Sequence, residues 1–434
     1  MGEKIYGLLG RKLGHSWSAP IHAALGCADY RLMELEPEDL PAFLAQEDLG
    51  GVNVTIPYKK AVMPYCDFID PAARRIGSVN TLVRREGKLL AYNTDAAGFC
   101  YMARRAGISF AGKKVVLLGS GGASLTAAAC AREMGAREVA VISRSGEDNY
   151  NNLDRHADAD LLVNATPVGM YPENGVSPVD LAAFPACRGV LDLIYNPRRT
   201  ALLLQAQALG IPFSDGLPML VAQAKAAEEH FFGRPIPEAE NERILAQLRQ
   251  ETENIVLIGM PGCGKTTVGR ALAQLTGREA VDLDQWVEQA AGRSIPTLFA
   301  QEGEAAFRAL ERRAVEACGK LSGKILLTGG GVVKDPRNYA PLRQNGRIYH
   351  LVRALELLPT EGRPLSERTG PAALWAERAP LYARFQDAVI ENNGAAEETA
   401  AAIWRDFCAY SGHERPQYEP AGDSPAGHLR ESHL

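Results

Sequence analysis

The chain has no closely spaced cysteine pair, no long apolar run and no block of like charge, and each absence removes a class of function. Eight cysteines are scattered at Cys27, Cys66, Cys100, Cys130, Cys187, Cys263, Cys318 and Cys408, without a C-x-x-C pair, and no histidine pair stands at metal-ligand spacing. That argues against a zinc ribbon or finger and against a disulfide framework, and reduced thiols in a cytoplasmic protein are expected. No apolar stretch approaches the roughly 20 residues a membrane helix needs. The net charge is only -5 and long runs of lysine and arginine are missing, so neither nucleic acid nor an anionic membrane surface is expected as a partner. The first residues lead directly into strand-like Lys4-Ile-Tyr-Gly-Leu-Leu9, without a charged leader or a myristoylation pattern, consistent with that location.

What is present is length and glycine-rich turns. At 434 residues the chain exceeds one ordinary core, and roughly 100 to 200 residues per domain suggests two to four lobes. The clearest turn is Gly259-Met-Pro-Gly-Cys-Gly-Lys265-Thr266, between the apolar run Ile255–Ile258 and the helical Val268–Ala273. Strand, glycine loop and helix in that order form a phosphate-binding loop. Backbone N–H groups of Gly262, Cys263, Gly264, Lys265, Thr266 and Thr267 would surround phosphate oxygens, Lys265 would reach the outer phosphates, and the Thr266 hydroxyl suits magnesium. A nucleoside triphosphate is implied, without naming the acceptor.

A second turn follows Lys113–Leu118: Gly119-Ser120-Gly121-Gly122-Ala123-Ser124, then an alanine-rich helix and the strand Val139–Ile142. This is a dinucleotide-type unit. Its second strand ends in Ser143-Arg144-Ser145 rather than in an acidic residue that would hold a ribose hydroxyl, which favours NADP over NAD. Upstream, short strands alternate with helical stretches, and polar residues collect at strand ends, where ligands bind in open α/β sheets.

Seven segments together resemble the shikimate dehydrogenases, in that family's order, over residues 1 to about 245. They are His15-Ser-Trp-Ser18, Asn53-Val-Thr-Ile-Pro-Tyr-Lys59, Gly77-Ser-Val-Asn-Thr81, Tyr92-Asn-Thr-Asp95, Gly119–Ser124, Asn164-Ala-Thr-Pro-Val-Gly169 and Asp215-Gly-Leu-Pro-Met-Leu-Val-Ala-Gln223. The resemblance implies NADPH-dependent reduction of 3-dehydroshikimate to shikimate. Ser16, Ser18, Thr55, Asn80, Asp95, Tyr195, Gly216, Met219 and Gln223 would hold substrate, and Lys59 with Asp95 would serve the reacting carbonyl. Hydride arriving at a ketone carbon leaves charge on oxygen, which an ammonium held by a carboxylate can stabilise and protonate. Ser16 and Ser18 could also cap the helix expected near Pro20. The chain departs from the family at Ala19, Pro20 and Pro218.

The remaining segments resemble the shikimate kinases over residues 253 to 408. Beyond the phosphate-binding loop these are Ala280-Val-Asp-Leu-Asp284, read as a strand with two carboxylates on one face, Phe307-Arg308, Lys324–Gly331, Gly362-Arg363-Pro-Leu-Ser366 and Arg378-Ala-Pro-Leu-Tyr382. The resemblance implies ATP-dependent phosphorylation of shikimate. Asp284 would bind and deprotonate the hydroxyl, Asp282 would support magnesium, and Arg308, Arg378, Gly329, Gly330 and Gly331 would hold shikimate. Arg363 would act from a lid that is short and lacks the arginine often found upstream.

The expected architecture is α/β: a two-lobed dehydrogenase, with a substrate lobe over 1–100 and a Rossmann-like NADP lobe over 101–215, then helices and linker over 216–250. A P-loop kinase domain with a parallel sheet follows over 251–408, and a polar tail over 409–434. The connection Glu251–Asn254 is short enough that the halves should touch. Each half carries its own motifs and length enough for a core, so a cut near Thr252 is expected to give two active proteins. Together they read as a bifunctional enzyme using 3-dehydroshikimate and shikimate, its oligomeric state (monomer or homodimer) left open. Two alternatives remain: a dehydrogenase of broader quinate/shikimate and NAD use, and a fusion whose kinase half only binds ligand.

Overall fold

The computed structural model describes residues 4–14, 16–359 and 370–412. Three sheets carry them. The first holds β1 (Ile5–Gly10), β2 (Tyr30–Glu34), β3 (Leu49–Val54), β4 (Phe68–Ile69), β5 (Thr81–Arg85) and β6 (Lys88–Tyr92), ordered β2-β1-β3-β5-β6-β4. β1 runs parallel to both neighbours, and β5 is antiparallel to β3 and β6. All six residues of β3 are buried, as a strand covered on both faces requires.

The second sheet is wholly parallel: β7 (Lys114–Leu118), β8 (Glu138–Ile142), β9 (Leu161–Asn164), β10 (Gly189–Asp192) and β11 (Phe213–Ser214), ordered β11-β10-β9-β7-β8. The chain starts at β7, goes outward to β8 and returns to β9. The strand order therefore reverses at β7, and the glycine turn follows it there, in the crevice where such sheets bind ligands.

The third sheet is also parallel: β12 (Asn254–Ile258), β13 (Ala280–Asp282), β14 (Ile325–Leu327), β15 (Gly346–Val352) and β16 (Ala388–Glu391), ordered β13-β14-β12-β15-β16. β12 is central, and Ile255, Val256, Leu257 and Ile258 are fully buried, each contributing roughly 1.5 to 3 kcal/mol.

Two helices tie the first two sheets together. Asp95–Arg105 packs along Leu217–Phe232, and a Cβ at Gly98 would stand 2.5 Å from the Met219 carbonyl oxygen. Glycine there brings Asp95 and Gln223 onto one cavity. The helix Ala239–Thr252 buries Ile244, Leu245 and Leu248 and ends one residue before β12, so the expected linker shrinks to Glu253. The helix Ala396–Gly412 packs on it, which moves residues 409–412 from the expected tail into an ordered element. Residues 413–434 lie outside the described residues, as do His15 and Arg363.

Candidate active sites

The first cavity, about 360 Å³, opens at the carboxyl ends of β1 and β3. Ser16, Ser18, Thr55, Lys59, Asn80, Asp95, Tyr195, Gly216, Met219 and Gln223 all line it. Lys59 Nζ donates to Asp95 Oδ2 at 2.6 Å, and Asn80 Nδ2 donates to Asp95 Oδ1 at 2.9 Å. Asn80 Oδ1 in turn accepts from the Thr94 backbone N–H at 2.7 Å. Both carboxylate oxygens are thus engaged, and the ammonium has little rotational freedom. Ser16 Oγ accepts from the N–H of Ser18, the first residue of the helix Ser18–Leu25, so Ser16 serves the helix start from one residue before the N-cap position Trp17, while Ser18 lies inside the helix, which starts two residues before Pro20. Lys12, Leu13 and Asn53 also line the cavity. Sequence reading passed over Lys12 and Leu13 because nothing distinguishes them from surface residues after a strand.

The glycine turn adjoins this cavity. Ala123 lines it, and a Cβ at Gly122, the first residue of the helix Gly122–Glu133, would lie 3.8 Å from Lys59 Cδ. At Gly121 an added Cβ would meet nothing within 4 Å, so the backbone there is open to a ligand. Ser143 and the exposed Arg144 follow β8 on the outer side. The residues of this turn would suit an NADP molecule, the N–H groups at the helix start being able to hold its pyrophosphate.

The second cavity, about 860 Å³, lies at the carboxyl end of the third sheet. Gly262, Gly264, Lys265, Thr266, Thr267, Asp282, Asp284, Arg308, Gly329, Gly330, Gly331 and Arg378 line it. Cys263 does not: its side chain is buried and its N–H donates to the Met260 carbonyl at 3.2 Å. Lys265 Nζ rests on the carbonyls of Gly259 and Met260, at 2.8 and 3.0 Å. Gly264 has φ 97°, and a Cβ there would stand 2.4 Å from Asn392 Nδ2, which donates to the Cys263 carbonyl at 2.7 Å. Asn392 thereby holds the loop from behind, a role without a sequence signal. The curled loop at the start of the helix Lys265–Thr276 suits triphosphate.

The two aspartates do not share a strand face. β13 ends at Asp282, which caps the helix Leu283–Ala291 by accepting from the N–H of Asp284 and Gln285. A helix start displaced the expected alternation, and Asp284 enters the cavity from the first helical turn. Burial, and secondly Asp282, push the Asp284 carboxyl up, against the pull of Lys265. Arg308 Nη1 pairs with Glu311 Oε2 at 2.6 Å and Arg308 Nη2 with Glu304 at 3.1 Å. Sequence reading passed over Glu311, the i+3 neighbour of Arg308. The buried Arg378 donates to the Gly330 carbonyl at 3.1 Å. Arg353, not singled out from sequence, lines this cavity upstream of the lid.

The chain matches the family model of the shikimate dehydrogenase substrate binding domain over residues 8–82. It is 37% identical over 266 residues to the shikimate dehydrogenase (NADP(+)) of Symbiobacterium thermophilum, covering 90% of that protein and 54% of this chain. The chain belongs to the shikimate dehydrogenase family. Another shikimate dehydrogenase (NADP(+)), from Geobacillus kaustophilus, is 37% identical with 94% of its length covered, against 54% of this chain. Among solved structures, the chorismate mutase/shikimate 5-dehydrogenase fusion protein of Clostridium acetobutylicum is similar with a TM-score of 0.54 and 36% identity, over 56% of this chain and 96% of that one. Beyond the dehydrogenase part, residues 261–407 match the shikimate kinase model. The chain is thus an oxidoreductase joined to a kinase, and both parts belong to the shikimate pathway. Its described cysteines are free thiols, and among the described residues no helix is long and apolar enough to cross a membrane.

Proposed function

We propose that the chain reduces 3-dehydroshikimate to shikimate with NADPH and then phosphorylates shikimate with MgATP to shikimate 3-phosphate, in the cytoplasm. The observation that carries the first step is the 2.6 Å Lys59–Asp95 pair inside a cavity that adjoins the glycine turn. As the carbonyl carbon gains hydride, the Lys59 ammonium faces the oxygen, neutralises its charge and passes it a proton. Asp95 keeps the ammonium aimed, and Asn80 fixes Asp95. Ser16, Ser18, Thr55, Tyr195 and Gln223 supply hydroxyl and amide groups for ring hydroxyls and carboxylate. NADP(H) supplies the hydride when bound, and ATP with magnesium supplies the phosphoryl group.

For the second step, Asp284 accepts the proton of the attacking hydroxyl, and its raised affinity for that proton suits a base. Arg308 and Arg378 hold the acceptor's carboxylate, Lys265 reaches the transferring phosphate, and Thr266 with Asp282 supports the magnesium. Arg363 is assigned to the phosphoryl group from its motif alone.

Two variants of the full chain test the division of labour. Lys59→Ala should lower dehydrogenase turnover by roughly 100- to 1,000-fold and leave kinase turnover intact. Asp284→Asn should do the reverse, by at least about 100-fold. Retention of most activity in either case would sink the corresponding assignment.

A further inference from the structure

Two consecutive arginines stand in the loop of residues 193–200 between β10 and the helix Ala201–Ala208, and both are buried. Buried charge needs a counter-charge, and here the nearest one, shared by both arginines, comes from the other half of the chain. Glu253 Oε2 receives Arg198 Nη1 at 2.5 Å, and Glu253 Oε1 receives Arg199 Nη1 at 3.1 Å. The backbone agrees with the side chains. The Arg198 N–H donates to Asn345 Oδ1 and the Arg199 N–H to the Gln344 carbonyl, both at 2.9 Å, and Arg199 Nη2 donates to Tyr410 Oη at 2.6 Å.

The same loop builds the first cavity. Leu193 and Tyr195 line it. The Ile194 carbonyl accepts from the Gly216 N–H at 2.9 Å, and Arg198 Nη2 lies 3.5 Å from Asp215 Oδ2. Asp215 Oδ1 accepts from the Leu217 N–H at 2.9 Å, at the start of the helix that carries Met219 and Gln223. One carboxylate at the head of the kinase half is therefore linked, through Arg198, to two of the segments that enclose the dehydrogenase substrate.

We propose that Glu253 is a positioning residue for the dehydrogenase, acting through Arg198 to hold Tyr195 and the helix start at Gly216 in binding geometry. This rests on the substrate assignment above. It also revises the expectation of two independently active halves, since a cut near Thr252 falls just before Glu253, taking the carboxylate from Arg199 and leaving Arg198 only the more distant Asp215.

The test uses the full chain, oxidising shikimate with NADP+ and without ATP. Glu253→Gln is expected to raise KM for shikimate at least fivefold, with kcat within about twofold. KM for NADP+ should not move, because the glycine turn and Arg144 follow β7 and β8, away from β10 and β11. Arg198→Met should give the same KM rise, and the double variant no more than either single one, as for groups acting in series. Asn345→Ala, which removes only the neutral hydrogen bonds to the Arg198 N–H and to Asn196 Oδ1, keeps the test open should the charge variants misfold, and is expected to raise the same KM about twofold or more. An active wild type whose folded variants keep their shikimate KM while melting lower would overturn this inference alone, as would KM values for both substrates rising together. A wild-type chain that does not oxidise shikimate would overturn the functional reading and this inference with it.

Discussion

Arg144 stands exposed past the end of β8, in the place where an acidic residue would hold a ribose hydroxyl. If it grips a 2′-phosphate, Arg144→Ala should weaken NADPH binding by about 1.5 to 3 kcal/mol and barely change NADH binding; equal losses, measured by cofactor titration, would mean the side chain serves structure. Asp284 supplies a second prediction at this scale. Its proton affinity is raised by burial and then by Asp282, so kinase kcat/KM should fall as pH drops through a value above that of an ordinary aspartate. Asp282→Asn removes a neighbouring negative charge and should shift that acid limb to lower pH; a limb that stays in place would mean another group controls it. Most residues of both cavities were legible because each stands in a short motif at a strand end. Glu311, Arg353 and Asn392 were not, since their roles come from partners brought close only by folding, as Asn392 meets Cys263 across the sheet.

At the level of elements, the strands and glycine turns followed from hydrophobic runs and their punctuation, while the junctions did not. Asp284 was expected on a strand because Ala280–Asp284 alternates, but Asp282 can cap, and a cap starts a helix. Glu251–Asn254 was expected as a linker because it is polar, yet Glu253 is fully buried. Nothing nearby in the sequence marks it, because the arginines it pairs with lie more than 50 residues upstream. Burial alone would raise its pKa, but Arg198, Arg199 and Arg343 together bring it down to about 2. The folded value lies below the ordinary 4.5, so the stabilisation is complete above pH 4.5 and is lost as pH falls through about 2. The gap corresponds to roughly 3 kcal/mol. In urea titrations between pH 5 and 2, Glu253→Gln should therefore show a shallower loss of stability than wild type by about that amount. Matching pH slopes for the two proteins would contradict the ion cluster.

The whole molecule joins a dehydrogenase and a kinase whose cavities share no lining residue, although the halves touch through Glu253, Asn345 and Tyr410. The fold class and the order of the dehydrogenase and kinase parts along the chain were legible because each half carries its own set of motifs. The contact surface was not, being made of charges and amides that read as ordinary loop residues. If shikimate is the intermediate of the proposed sequence, the separate cavities predict its release to solvent between the steps. The measurement that bears most directly on the account supplies the full chain with 3-dehydroshikimate, NADPH, MgATP and an excess of isotopically labelled shikimate. Shikimate 3-phosphate should form, one NADPH should disappear for each 3-dehydroshikimate consumed, and the label should enter the product in proportion to its share of the shikimate pool. Consumption of NADPH without any shikimate 3-phosphate would contradict the two-step assignment, and a product that stays unlabelled would contradict free release.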